Sequence, residues 1–96
     1  MITSWTDTAR KQLLDLDEYL SEKNLGAAER IVDRILAASL SLETFPMAGR
    51  PGRVAGTREL TVPRTKYLIA YRTVRTSVQI LAILHGAQRW PRGFAR

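Results

Sequence analysis

The sequence contains no cysteine and only one histidine, His85. Without cysteine there is no disulfide framework and no thiolate zinc site, and one imidazole does not by itself make a metal centre. No run of about 18 apolar residues is present, so a membrane-spanning helix is not expected. The N-terminus becomes polar at Thr3, unlike a secretory signal. We therefore expect a cytoplasmic protein that needs no metal or cofactor and does not contact a membrane.

Acidic residues are scarce in the second half of the chain, where Glu59 is the only one. Residues 50–96 carry ten basic residues and a net charge of +9, whereas residues 1–49 carry five basic and eight acidic residues and a net charge of −3. Nine of those ten cations are arginines, whose planar guanidinium groups suit contacts to phosphate or carboxylate. This asymmetry predicts an anionic partner for the C-terminal half.

The spacing of apolar residues predicts two helices before Pro46, preceded by a short strand at residues 1–5. The break at Asn24 and Gly26 predicts a tight turn between the helices, and Pro46 should end the second one. Spacings of three and four place on the buried faces Ala9, Leu13, Leu16 and Leu20 in the first helix, and Ala28, Ile31, Ile35, Ala38, Leu42 and Phe45 in the second.

Residues 47–56 are rich in glycine and arginine and predict a loop, and three strands are expected after it, at residues 57–62, 66–74 and 77–84. The expected fold is a single α+β domain, residues 1–96, in which an antiparallel helix hairpin packs on a small, mainly antiparallel sheet. A regular pairing with Val74 opposite Ser77 would place Lys66 opposite His85.

The same register predicts that one sheet face packs on the helices and that the other is mixed, with an uncovered apolar strip between polar ends. The strip comprises Leu68, Ala70, Leu81 and Ile83. The polar ends comprise Glu59, Thr61, Arg72, Gln79 and His85.

Four segments resemble toxins of the RelE/ParE superfamily, the toxin halves of bacterial type II toxin–antitoxin pairs, including plasmid stabilisation systems. The segments are residues 49–53 (GRPGR), 56–60 (GTREL), 67–72 (YLIAYR) and 85–91 (HGAQRWP). The resemblance implies a growth-inhibiting toxin that is neutralised by a small, acidic or partly disordered antitoxin encoded beside it. It also implies that the complex binds operator DNA only through the antitoxin. In that setting the apolar strip and the helix hairpin are candidates for antitoxin docking.

The superfamily divides in mechanism, because RelE-like members cut mRNA on the ribosome whereas ParE-like members block DNA gyrase. RelE-like members carry basic residues at positions that correspond here to Glu59, Thr61 and Leu68, and none of these is basic. The GTREL and HGAQRWP segments also look more like ParE, so gyrase inhibition without enzymatic activity is favoured.

A ribosome-dependent endoribonuclease is the alternative, because cleavage by the 2′-hydroxyl needs a base, an acid and cations near the phosphate. The residues that could supply such a site are His85, Arg72, Lys66 and Glu59. Residues for binding a target or nucleic acid are Arg50, Arg53, Arg58, Arg89, Trp90 and Arg92, since arginine with interleaved aromatics suits both phosphate and protein contacts. A third hypothesis is a non-toxic RNA-binding module that uses the basic sheet and tail.

Overall fold

The computed structural model describes residues 1–86, which form two helices and a five-stranded sheet. The chain runs β1 (Ile2–Trp5), α1 (Asp7–Lys23), α2 (Leu25–Ser41), β2 (Arg50–Pro51), β3 (Arg58–Thr61), β4 (Tyr67–Val74) and β5 (Ser77–His85). The strand order is β1-β5-β4-β3-β2; β1 is parallel to β5, and all other neighbours are antiparallel. The predicted α+β fold, with a helix hairpin on a mainly antiparallel sheet, is confirmed.

Short polar residues define the ends of the helix hairpin. The Thr6 hydroxyl accepts a hydrogen bond from the Ala9 N–H and so caps the start of α1. Asn24 ends α1 and also caps α2, because its side-chain oxygen accepts from the Ala27 N–H. One extended residue therefore reverses the chain, and the hairpin turn lies where the sequence predicted it.

The second helix is shorter than its apolar pattern predicted. It ends at Ser41 rather than at Pro46, and the backbone N–H of Leu42 bonds to the Ser39 carbonyl in a tighter turn. The Ser41 hydroxyl bonds back to the Ala38 carbonyl at 2.6 Å, which satisfies one of the helix's last acceptors. As a result Phe45 lies beyond the helix and is 65% exposed, so its assignment to the core was wrong.

The main core lies between the hairpin and one face of the sheet. It joins helix residues to alternate residues of β4 and β5, as period-2 side chains of a half-covered sheet require. Its buried members are Ala9, Ile35, Ala38, Leu42, Val62, Ile69, Tyr71, Val78, Ile80 and Ile83.

A β-bulge in β5 changes the register that the sequence predicted. Val74 does face Ser77, but Tyr71 pairs with Ile80 and Ala70 pairs with Ala82, so that Leu81 is an extra residue. Beyond the bulge, Tyr67 rather than Lys66 lies opposite His85. Every later residue of β5 is therefore on the other face from the one predicted.

Two side chains, one from the N-cap of α1 and one from within that helix, support β5 at the bulge. The Thr6 hydroxyl donates to the Leu81 carbonyl at 3.2 Å, and the Gln12 side-chain oxygen accepts from the Ile83 N–H at 2.8 Å. Pairing with β1 ends at Ile80, so these side chains replace bonds that a strand neighbour would otherwise make.

A second apolar cluster lies on the face turned away from the helices, and its members differ from those predicted. Leu68 and Ala70 are on this face as expected, but their partners are Leu84 and Ala82. Ile83 packs into the core with the helices, and Leu81 occupies the bulge. All six residues are buried, so the predicted strip is not an uncovered surface.

The edge strand β1 is held by Glu43, which follows α2. The Thr3 hydroxyl and the Thr3 backbone N–H both donate to the Glu43 carboxylate, at 2.6 and 2.8 Å. These two hydrogen bonds, that of the hydroxyl first, lower the pKa of Glu43. A carboxylate at this position also occupies an outward N–H that another chain could otherwise pair with. Across residues 1–86, neither helix is long and apolar enough to cross a membrane.

Candidate functional site

A basic loop between α2 and β3, residues 46–57, is fixed by the buried Tyr71 of β4. The Tyr71 hydroxyl donates to the Pro46 carbonyl and accepts from the Gly49 N–H, with both distances 2.8 Å. The approach is so close that a Cβ at Gly49 would lie 2.7 Å from Tyr71 ring and hydroxyl atoms. Glycine is therefore required at the point where the loop meets the core.

Glu59 holds the same loop from β3 through charge. Its side chain is only 2% exposed, and its carboxylate lies 3.3 Å from the Arg53 guanidinium and 3.8 Å from that of Arg50. It also accepts from the Arg53 backbone N–H at 3.0 Å. The only acidic residue of the basic half thus serves as the anchor for two of its arginines.

Three arginines predicted to bind a target are brought together on this basic loop and the start of β3. The Arg58 guanidinium donates to the Gly49 carbonyl at 2.7 Å, and Arg53 is held by Glu59. The Arg50 side chain is 71% exposed, and its guanidinium lies farther from Glu59 than that of Arg53. Arg50 is therefore the member of this group best placed to reach a partner.

The four residues of the predicted nuclease site are not brought together on one face. Glu59 pairs with Ala70, and Arg72 lies opposite Gln79 on the face turned away from the helices. His85 lies opposite Tyr67 on the helix-covered face, with its ring edge-on to the tyrosine at a centroid distance of 5.7 Å. The expected grouping was wrong because the bulge turns the end of β5 over.

Arg72 and Lys66 each make a contact that joins β4 to β5. The Arg72 Nε donates to the Gln79 side-chain oxygen at 2.7 Å, a cross-strand pair. The Lys66 carbonyl accepts from the Gly86 N–H, which closes the strand end. Burial, and then the nearby Tyr19, raise the pKa of Tyr67, so its phenol keeps its proton more firmly than a free tyrosine does.

Three predicted target-binding residues, Arg89, Trp90 and Arg92, lie outside the described residues. Within residues 1–86, no group of three or more His, Cys, Asp or Glu side chains is arranged to hold a metal ion. The role of the strip Leu68, Ala70, Leu81 and Ile83 in antitoxin docking stays a prediction, although its register and exposure are corrected above.

The sequence pattern did not predict that the Tyr71 hydroxyl orders the basic loop. A tyrosine on a core face needs a partner for its hydroxyl, and this need was the available signal. The short strand β2 was also missed, because two residues are too few to show a periodic pattern.

Comparison with known proteins places this geometry in a family. Residues 3–90 match the family model described as ParE toxin of type II toxin-antitoxin system, parDE. The chain is 40% identical over 87 residues to "Putative toxin Y4kP" of Sinorhizobium fredii (strain NBRC 101917 / NGR234), covering 91% of this chain and 90% of that protein.

Two solved structures share the fold. The chromosomal ParDE system of P. aeruginosa matches with a TM-score of 0.80 and 27% identity over 88% of this chain and 95% of the other. The RelBE2 toxin-antitoxin complex of Mycobacterium tuberculosis matches with a TM-score of 0.65 and 28% identity, with the same coverage. The chain therefore belongs to the ParE toxin family of type II toxin–antitoxin systems.

Proposed function

We propose that this toxin arrests growth by binding DNA gyrase in the cytoplasm, that it cuts no RNA, and that its antitoxin neutralises it, as in a plasmid stabilisation module. The observation that carries the proposal is the division of the nuclease candidates between two faces of the sheet. A base and an acid must both reach the reacting ribose and phosphate. Here His85 is on the helix-covered face, whereas Glu59 and Arg72 belong to the other.

The contacts of Glu59 also support a toxin that binds its target without cutting RNA. A carboxylate that serves as general base needs access to a substrate proton, but this one is buried and engaged by Arg50 and Arg53. Those contacts instead order a positively charged loop, which suits recognition of an acidic surface. The match to the ParE model also supports gyrase rather than the ribosome as the target.

Growth arrest after induced expression tests whether toxicity depends on the nuclease candidates or on the target-binding arginines. We expect His85→Ala and Arg72→Ala to arrest growth as the unchanged toxin does, because neither takes part in chemistry. Arg50→Ala should weaken arrest, because one exposed interface charge contributes about 0.2–1 kcal/mol, or up to about fivefold in affinity. Lys11→Ala is the matched control, since Lys11 is an exposed cation of α1 paired with Asp15.

Antitoxin co-expression shows whether each variant is folded, because only a folded toxin should be retained on a tagged antitoxin. If His85→Ala abolishes arrest but still binds antitoxin, the endoribonuclease alternative replaces the gyrase proposal.

A further inference from the structure

A small cavity lies between α1, the start of β4 and the end of β5, on the helix-covered face of the sheet. Its volume is about 170 Å³, and its lining comprises Gln12, Asp15, Leu16, Tyr67 and Ile83. Pockets that take drug-sized ligands measure roughly 300–1,000 Å³, so this one suits a smaller organic group. The arginines of the basic loop do not line it, and the cavity is therefore separate from the surface assigned above to the target.

The β-bulge in β5 is what turns this lining toward α1. Because Leu81 is the extra residue, Ile83 packs on the helix-covered face and Tyr67 lies opposite His85. The Gln12 side-chain oxygen accepts from the Ile83 N–H at 2.8 Å and holds the strand in this register. Bulges are frequent where a strand must redirect a side chain beside a functional site. The same irregularity therefore produces the cavity and decides what lines it.

The tyrosine of the cavity is fixed in orientation and carries no charge. The His85 ring contacts the Tyr67 ring edge-on at a centroid distance of 5.7 Å. Burial, and then the nearby Tyr19, raise the pKa of Tyr67, so its phenol stays protonated. A neutral phenol ring has an electron-rich face, and such a face attracts cations.

Cations already contact both ends of this side of α1. The Lys23 Nζ lies 4.9 Å from the centroid of the Tyr19 ring, and the Lys11 Nζ lies 3.1 Å from a carboxylate oxygen of Asp15. Both members of the Lys11–Asp15 pair are exposed, so this pair contributes little and is readily exchanged. Within residues 1–86, no lysine or arginine lines the cavity itself. Its carboxylate and its aromatic ring are therefore available to a cation from outside the chain.

We propose that this cavity binds an alkylguanidinium group. The planar head stacks on the Tyr67 ring and donates to the Asp15 carboxylate, while the aliphatic stem lies against Leu16 and Ile83. A guanidinium suits this lining better than an ammonium does, because it is flat, less strongly hydrated and able to donate two parallel hydrogen bonds to one carboxylate. The same head group occurs in free small molecules and in arginine side chains of other proteins, which differ in the bulk beside the stem.

Butylguanidinium is the probe, and butylurea, which has the same shape without the charge, is its control. Two-dimensional ¹H–¹⁵N NMR of the full chain measures binding and shows which amides the ligand affects. We expect butylguanidinium to shift the amides of Leu16, Tyr67 and Ile83, and butylurea to bind about fivefold more weakly or worse.

A capped arginine, N-acetyl-arginine methylamide, separates the two sources of the head group. Affinity equal to that of butylguanidinium supports the site as one for an arginine side chain of a partner protein. Affinity about tenfold lower supports it as one for a free small molecule, because the peptide groups beside the stem then clash with the mouth of the cavity.

Two aspartates of α1 offer a matched pair of variants. Asp15 and Asp17 are both exposed, and Asp15→Asn and Asp17→Asn change the net charge equally, but only Asp15 lines the cavity. We expect Asp15→Asn to weaken binding of butylguanidinium about three- to fivefold and Asp17→Asn to change it less than twofold. Tyr67→Leu, which keeps an apolar side chain but removes the ring, should weaken it about threefold or more. The dispersion of the same spectra establishes that each variant is folded.

Equal affinities for butylguanidinium and butylurea, or equal losses in Asp15→Asn and Asp17→Asn, would overturn the assignment. So would amide shifts confined to residues away from the cavity, or no shift at the highest soluble concentration of butylguanidinium. The result does not depend on the proposed function, because neither Asp15 nor Tyr67 belongs to the basic loop.

Discussion

Replacing Ile35 by alanine is expected to lower the free energy of unfolding by about 2–5 kcal/mol. Ile35 is fully buried at the centre of α2 and packs into the core between hairpin and sheet. Truncation removes apolar contacts and leaves a cavity that the strands, fixed by their ladder, cannot readily fill. Urea unfolding, followed by circular dichroism at 222 nm, measures the change.

Phe45→Ala is the matched control for that experiment. The apolar spacing placed both residues on one helix face, but the helix ends at Ser41 and leaves Phe45 exposed. Surface substitutions usually change stability by about 0.5 kcal/mol or less. If Phe45→Ala costs as much as Ile35→Ala, the helix continues to Pro46 and the early end described above is wrong.

Gly49→Ala is the second large effect that we expect, a loss of about 1–3 kcal/mol. The added methyl would lie 2.7 Å from Tyr71 atoms and 3.0 Å from the Glu59 carbonyl, so the ring or the basic loop must move. Displacement of either breaks the hydrogen bonds that hold the loop, and growth arrest should weaken with it. Thermal unfolding and induced-expression toxicity measure the two consequences.

The other glycine suited to comparison is Gly26, in the first turn of α2. A Cβ there meets only Arg30 and Asn24 side-chain atoms at 3.5 Å, an ordinary contact distance. Gly26→Ala should therefore leave stability unchanged or raise it by up to about 1 kcal/mol, because alanine suits a helix better. Equal destabilisation by both substitutions would contradict the special role assigned to Gly49.

The fold was predictable from the sequence wherever apolar residues recur at one regular spacing. The break at Asn24 marked the boundary between the helices, and the apolar spacing of α1 identified its buried side. The bulge was not predictable, because residues 80–84 are apolar on both faces and alternation therefore could not fix the register. The continuous apolar run permits either pairing. The side chains of Thr6 and Gln12, which support the bulge, come close to β5 only in the folded chain.

The candidate site was predictable in composition but not in arrangement. The excess of arginine after residue 49 directed attention to the basic loop and β3, where the structure gathers Arg50, Arg53 and Arg58. The grouping of His85 with Glu59 and Arg72 depended on a regular pairing of β4 with β5. Because the bulge changes that pairing, the predicted grouping was wrong.

Supercoiling of relaxed plasmid by gyrase and ATP, with increasing purified toxin, tests the central claim most directly. The result that this structure predicts is inhibition by the unchanged toxin and equally by His85→Ala, with full relief when stoichiometric antitoxin is added. Unimpaired supercoiling at saturating toxin, together with cleavage of mRNA on translating ribosomes by the same preparation, would contradict it.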